Sequence, residues 1–170
     1  SAVRPNHPWL KLDDEELLVK LNAIGRTNGE GEFHPTRAGL LMFGFEHEIV
    51  KEYANYFLDY READHERRWA DRIVSQDGTW TGNLFDFWTE ALPRLTGGLK
   101  KPFALDSNLQ RIEDTEMHAA IREALANALV HSDYYGRRGI VALRYSDRIE
   151  IANPGNSRVA LDVVRAGGIS

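Results

Sequence analysis

The sequence predicts an α+β fold, with helices packed on a mixed or antiparallel sheet. Three stretches carry that reading. Residues 115–131 form a long run of helix formers with a 3.6-residue apolar period. Residues 139–153 follow as two short alternating runs split by Ser146-Asp147, the pattern of a β-hairpin. Residues 53–61 (Tyr-Ala-Asn-Tyr-Phe-Leu-Asp-Tyr-Arg) are aromatic and partly alternating, which reads as a further strand.

Taken in order, the opening through Pro8 is Pro-rich and reads as extended. Asp13, Asp14, Glu15 and Glu16 place negative charge where a helix dipole favours it. Leu17, Leu18, Leu21 and Ile24 follow at helical spacing, so 13–24 reads as a short amphipathic helix. The stretch 25–31 holds three glycines and an Asn and reads as a loop. A second helix is expected from Pro35-Thr36, with Pro in its first turn, through Leu40, Leu41, Met42 and Phe43 to a stop at Gly44. So apolar a stretch should be buried.

Residues 61–72 mix charges of both signs and read as solvated surface. Their arginines sit among Glu and Asp neighbours, which argues against a DNA-contacting patch. A short strand at 71–75 and a turn at Asp77-Gly78 come next. Leu84, Phe85, Phe87, Trp88, Ala91 and Leu92 then predict a third helix, kinked or ended at Pro93. Trp80 and Trp88 are read as core or interface residues. Residues 96–104 read as a Gly/Lys/Pro connection.

Composition sets outer bounds. The 170 residues are 42% hydrophobic and 28% charged, a globular profile. Lys plus Arg total 21 against 26 for Asp plus Glu, a net charge of -5, so an overall basic footprint for nucleic acid is absent. Cysteine is absent, which excludes disulfides, thiolate metal sites and Cys nucleophiles. No stretch approaches the roughly 18 apolar residues that span a bilayer, and a cytoplasmic location is expected. The chain opens on Ser1-Ala2, read as a processing scar, and stops at Ser170 without a terminal helix or tail. It reads as an excerpt of a longer protein.

The chemistry-bearing residues lie on the 115–131 helix, whose start Asp114 or Thr115 can cap. Met117, Ile121, Leu125 and Ala128 share one stripe, as ordinary core packing requires. On the other side Glu123, Asn127 and His131 recur every four residues among Ala119, Ala120, Ala126 and Val130. A solvated face normally carries many long polar chains. Small residues around isolated polar groups point instead to close contact with a ligand or partner. The plainer reading pairs Glu123 with Arg122 or another surface cation, with Asn127 satisfied locally. The loop Asn153-Pro154-Gly155 closes the hairpin.

Together, the segment IREALANALVHSDYYGRRGIVALRYSDRIEIANPG (121–155) resembles the start of the ATPase-like domain of bacterial RecG-related ATP-dependent DNA helicases or transcriptional regulators. That domain is similar to the GHKL superfamily, which includes gyrase B and histidine kinases. HPTRAGLLMFGFE (34–46) resembles the segment that follows a Schlafen/AlbA-type DNA-binding domain in such proteins. The resemblance implies a connecting α/β region over 1–112 and an incomplete GHKL-like domain over 113–170. It implies a DNA partner, bound through a domain absent from this chain.

It further implies Glu123 as the general base that activates water and Asn127 as the Mg²⁺ ligand, with ATP as the nucleotide. A carboxylate can accept a proton from water, and an amide oxygen is a hard ligand suited to Mg²⁺. Asn153 and Gly155 fall on the adenine-reading loop, where the superfamily has Asp-x-Gly-x-Gly; here Asn153 replaces Asp and Ser157 replaces the second Gly. His131 has two readings, a phosphate contact or a cap on the helix C-terminus. Asp133 and Tyr134 match the subfamily's HxDY pattern. A Gly-rich lid is expected beyond Ser170.

Two functions follow. One is an ATP- and Mg²⁺-binding domain of a DNA-linked regulator. The other is a degenerate, non-catalytic interaction or dimerisation module, for which the hairpin edge offers a homodimer surface. Motor helicase action finds no support, because no G-x-x-x-x-G-K-[ST] loop occurs.

Overall fold

The computed structural model describes residues 6–26, 31–63, 69–99 and 115–155. The fold is α+β. It begins with a 3-10 turn at Pro8–Lys11 and a short helix α1 (Asp14–Lys20). Asp13 caps α1 by accepting from the Glu16 amide at 2.8 Å, and three acids occupy its first turn. Asn22 adopts a left-handed φ of 55°, and this stops the helix short of the expected residue 24. Ile24 lies instead in strand β1 (Ile24–Arg26), which pairs antiparallel with β2 (Phe33–Pro35). Gly25 is part of β1, and the loop expected to follow it falls mainly on residues outside the described ones.

Helix α2 (Arg37–Phe43) starts two residues later than the sequence suggests. Pro35 ends β2, and Thr36 is the cap: its hydroxyl accepts from the Gly39 amide at 2.9 Å and donates to the Asn22 carbonyl at 2.7 Å. Gly44 ends α2 as expected. Burial is confined to Gly39 and Leu41, and Phe43 stays exposed. Helix α3 (Glu46–Glu52), which the sequence reading did not contain, buries Ile49 completely.

The expected strand at 53–61 shrinks to β3 (Leu58–Glu62). Tyr53 and Tyr56 are buried in the preceding turn, where their rings meet Tyr135 and Tyr134 at centroid distances of 4.9 and 6.1 Å. The Tyr56 hydroxyl donates to the Gly82 carbonyl at 2.8 Å. The ends of the supposed solvated segment 61–72 belong to strands, with Asp71 and Arg72 opening β4 (Asp71–Val74); residues 64–68 lie outside the described ones. Gly78 takes the turn after β4 with φ 73°.

Helix α4 (Leu84–Thr96) is capped by Asn83, whose side chain accepts from the Asp86 amide at 2.8 Å. It runs through Pro93 rather than ending there. Proline removes one helical N–H, yet the last turn gains side-chain partners. The Thr96 hydroxyl donates to the Leu92 carbonyl at 2.9 Å, and Arg94 donates to the Glu90 carbonyl at 2.7 Å. Leu84, Phe87, Ala91 and Leu95 form its buried face. Trp80 and Trp88 pack half-buried against the core, as expected of them, and Trp80 donates to the Val74 carbonyl at 3.0 Å.

Helix α5 (Glu116–Val130) and strands β5 (Ile140–Arg144) and β6 (Ile149–Ala152) match the expected helix and hairpin closely. Thr115 is the cap of α5. Ile121, Leu125 and Ala128 are buried as expected, whereas Met117, placed on the same stripe, is 58% exposed. Met117 sits in the first turn of α5, where it borders an open cleft beside β6.

Strands β3 to β6 form one mixed sheet in the order β4-β3-β5-β6. Only the β3–β5 pair is parallel, with Leu58 opposite Ile140. The sheet therefore takes two strands from the 1–112 region and two from 113–170. Leu58, Tyr60, Ile140 and Ala142 point into the core with Phe87, Leu95 and Leu125, all of them fully or almost fully buried. Each such large side chain contributes about 2 kcal/mol by leaving water. No helix among the described residues is long and apolar enough to cross a membrane.

Candidate functional site on helix α5

Helix α5 presents Glu123 and Asn127 on its exposed side, one turn apart. The Asn127 Nδ2 donates to Glu123 Oε1 at 3.0 Å. His131 is the helix C-cap, and its amide donates to the Asn127 carbonyl at 3.0 Å. All three side chains are solvent-exposed, so the close contact anticipated around them is not made by described residues of this chain.

Beyond His131 the chain folds back on the hairpin. The Asp133 amide donates to the Pro154 carbonyl at 2.9 Å. Pro154 is buried, and Gly155 beside it has φ 122°. A Cβ on Gly155 would lie 3.8 Å from the His131 carbonyl oxygen. The Asn153 side chain turns onto the Pro154 carbonyl, with Nδ2 donating at 3.3 Å. The structure thus joins Glu123 to Asn127, and the end of α5 to the 153–155 loop.

Asp133 and Tyr134 now have defined work. Asp133 Oδ1 accepts from the Tyr135 amide at 3.1 Å, and the Asp133 carbonyl accepts from the Gly136 amide at 3.0 Å, which folds the turn. The Tyr134 hydroxyl donates to the Leu129 carbonyl, and Ser132 Oγ donates to the Ala128 carbonyl at 2.6 Å. Both satisfy carbonyls that a helix C-terminus leaves without partners. Burial pushes the Tyr134 hydroxyl well above its usual pKa, so it remains a donor.

A cleft of about 570 Å³ runs along the same helix toward its N-terminal end. Met117, Ala120 and Ala124 form one wall, Ile149 and Ile151 of the edge strand β6 the other, with Arg144 at the inner end. Ala120 and Ala124 lie on adjoining turns and give this cleft its room, but Glu123, Asn127, His131, Asn153 and Gly155 do not line it. Arg144 is a residue the sequence reading missed. It donates to Glu62 at 3.0 Å and to the Gly97 carbonyl, tying β5 to β3 and to the end of α4. The available signal was its register: Arg144 shares the inward side of β5 with Ile140 and Ala142.

The donor set suits a hard cation that retains water. The bond between Glu123 and Asn127 uses Asn127 Nδ2 and Glu123 Oε1, not the Asn127 Oδ1. Mg²⁺ takes one or two protein oxygens and completes its shell with water and phosphate. Asn127 carries one amide oxygen of that kind on the exposed side of α5. No group of three or more His, Asp or Glu side chains among the described residues forms a self-sufficient metal cage.

Residues 1–59 match the model of a domain of unknown function, DUF8451. That match ends inside β3 and does not reach α5. No curated protein matches the chain, and no solved structure matches it.

Proposed function

We propose that this chain is part of a DNA-linked regulator and supplies the beginning of a GHKL-like domain that binds ATP with Mg²⁺. The observation that carries the reading is the Glu123–Asn127 pair, one helical turn apart, on a helix whose end is bonded to the Asn153-Pro154-Gly155 loop. In this reading Asn127 Oδ1 holds Mg²⁺, which neutralises phosphate charge when ATP is bound. Glu123 Oε2 accepts the proton of the attacking water. Asn153 offers the amide oxygen that accepts from the adenine amino group, and Gly155 lets the backbone approach the base. His131 stands at the same helix end, placed to cap it or to meet a phosphate. DNA is bound through a separate domain, in keeping with the net charge of -5 on this chain.

A second reading, a non-catalytic interaction or dimerisation module, is favoured by a different observation. Asn127 and Glu123 already bond to each other, and the nearby groove between α2, α4 and α5 is apolar, with Phe85 47% and Val130 73% exposed.

Calorimetry on the full-length protein separates the two. The ATPase reading requires binding of a non-hydrolysable ATP analogue with Mg²⁺, its loss in Asn127→Ala, and retained binding without turnover in Glu123→Gln. Absence of binding in the wild-type full-length protein defeats that reading and leaves the interaction module.

A further inference from the structure

We draw no further inference here: the strongest candidate, the open cleft between helix α5 and the edge strand β6, walled by Met117, Ala120, Ala124, Ile149 and Ile151, carries nothing because nothing among the described residues shows what covers it.

Discussion

The Asp133 amide donates to the Pro154 carbonyl across 2.9 Å, and this bond joins the end of helix α5 to the end of strand β6. Its geometry depends on Gly155, which holds φ at 122° next to it. A Cβ there would make ordinary contacts with Asp133 at 3.7 Å, so any cost arises from the backbone and not from crowding. Gly155→Ala should destabilise the fold by about 1–2 kcal/mol, read as a lower denaturation midpoint. An unchanged midpoint would mean that the loop relaxes freely and does not fix the helix end.

Tyr60 is wholly buried, and its hydroxyl has no hydrogen-bond partner among the described residues. Burial, with Glu62 adding to it against an opposing pull from Arg144, pushes its pKa up to about 12. A raised folded-state pKa gives stability that is full below the unfolded tyrosine value near 10. That stability is lost as pH rises from there through about 12. Tyr60→Phe should therefore flatten the alkaline fall in stability over that window. At neutral pH it should leave stability unchanged or raise it by about 1 kcal/mol, since an unpaired buried hydroxyl is removed. Denaturant titrations at neutral and alkaline pH measure both effects, and a large loss at neutral pH would reveal a partner for the hydroxyl.

Gly39 is the point where α2 touches the chain leaving α1. A Cβ on Gly39 would sit 1.8 Å from the Ala23 carbonyl oxygen, and Ala23 is itself buried. Backbone cannot swing aside as a side chain can. Gly39→Ala should cost about 3 kcal/mol. The matched control is Gly25→Ala, where the nearest atom is a Thr36 methyl at 3.9 Å and the effect should be small. Thermal melts of the two variants side by side should differ clearly; similar melting points would refute the close approach.

Pro93 lies on the exposed side of α4, inside the helix. Alanine there restores a helical N–H and removes a ring that crowds the preceding turn. Pro93→Ala should stabilise by about 1–2 kcal/mol, less than the full propensity gap because the unfolded chain also becomes freer. A loss of stability would show that Pro93 shapes the α4 end on which Arg144 is anchored through Gly97.

Local signals made the C-terminal half readable. The α5 helix, its cap at Thr115 and the β5–β6 hairpin all rest on contacts between near neighbours, and their boundaries follow from residue type and period. Tyr53 and Tyr56 misled because aromatic residues suit strands, whereas here they fill a turn against Tyr134 and Tyr135. Ile24 misled because its helical spacing is cut by the left-handed Asn22, a backbone choice that apolar periodicity does not record. Within the candidate site, Glu123 and Asn127 were legible from their spacing. Arg144 was not, since its setting depends on which strands become neighbours, and the parallel β3–β5 pairing leaves no local trace.

That parallel pairing also sets an order of assembly. Strand β3 lies between β4 and β5, so its backbone is satisfied on both sides only after residues 140–144 have arrived. The family match over residues 1–59 stops within this strand. A polypeptide cut at that point would carry Leu58 without Ile140 beside it. Long-range closures of this kind form slowly and gate the final collapse. The inner edge of β3 is therefore left without a strand partner in any piece that stops before the β5–β6 hairpin.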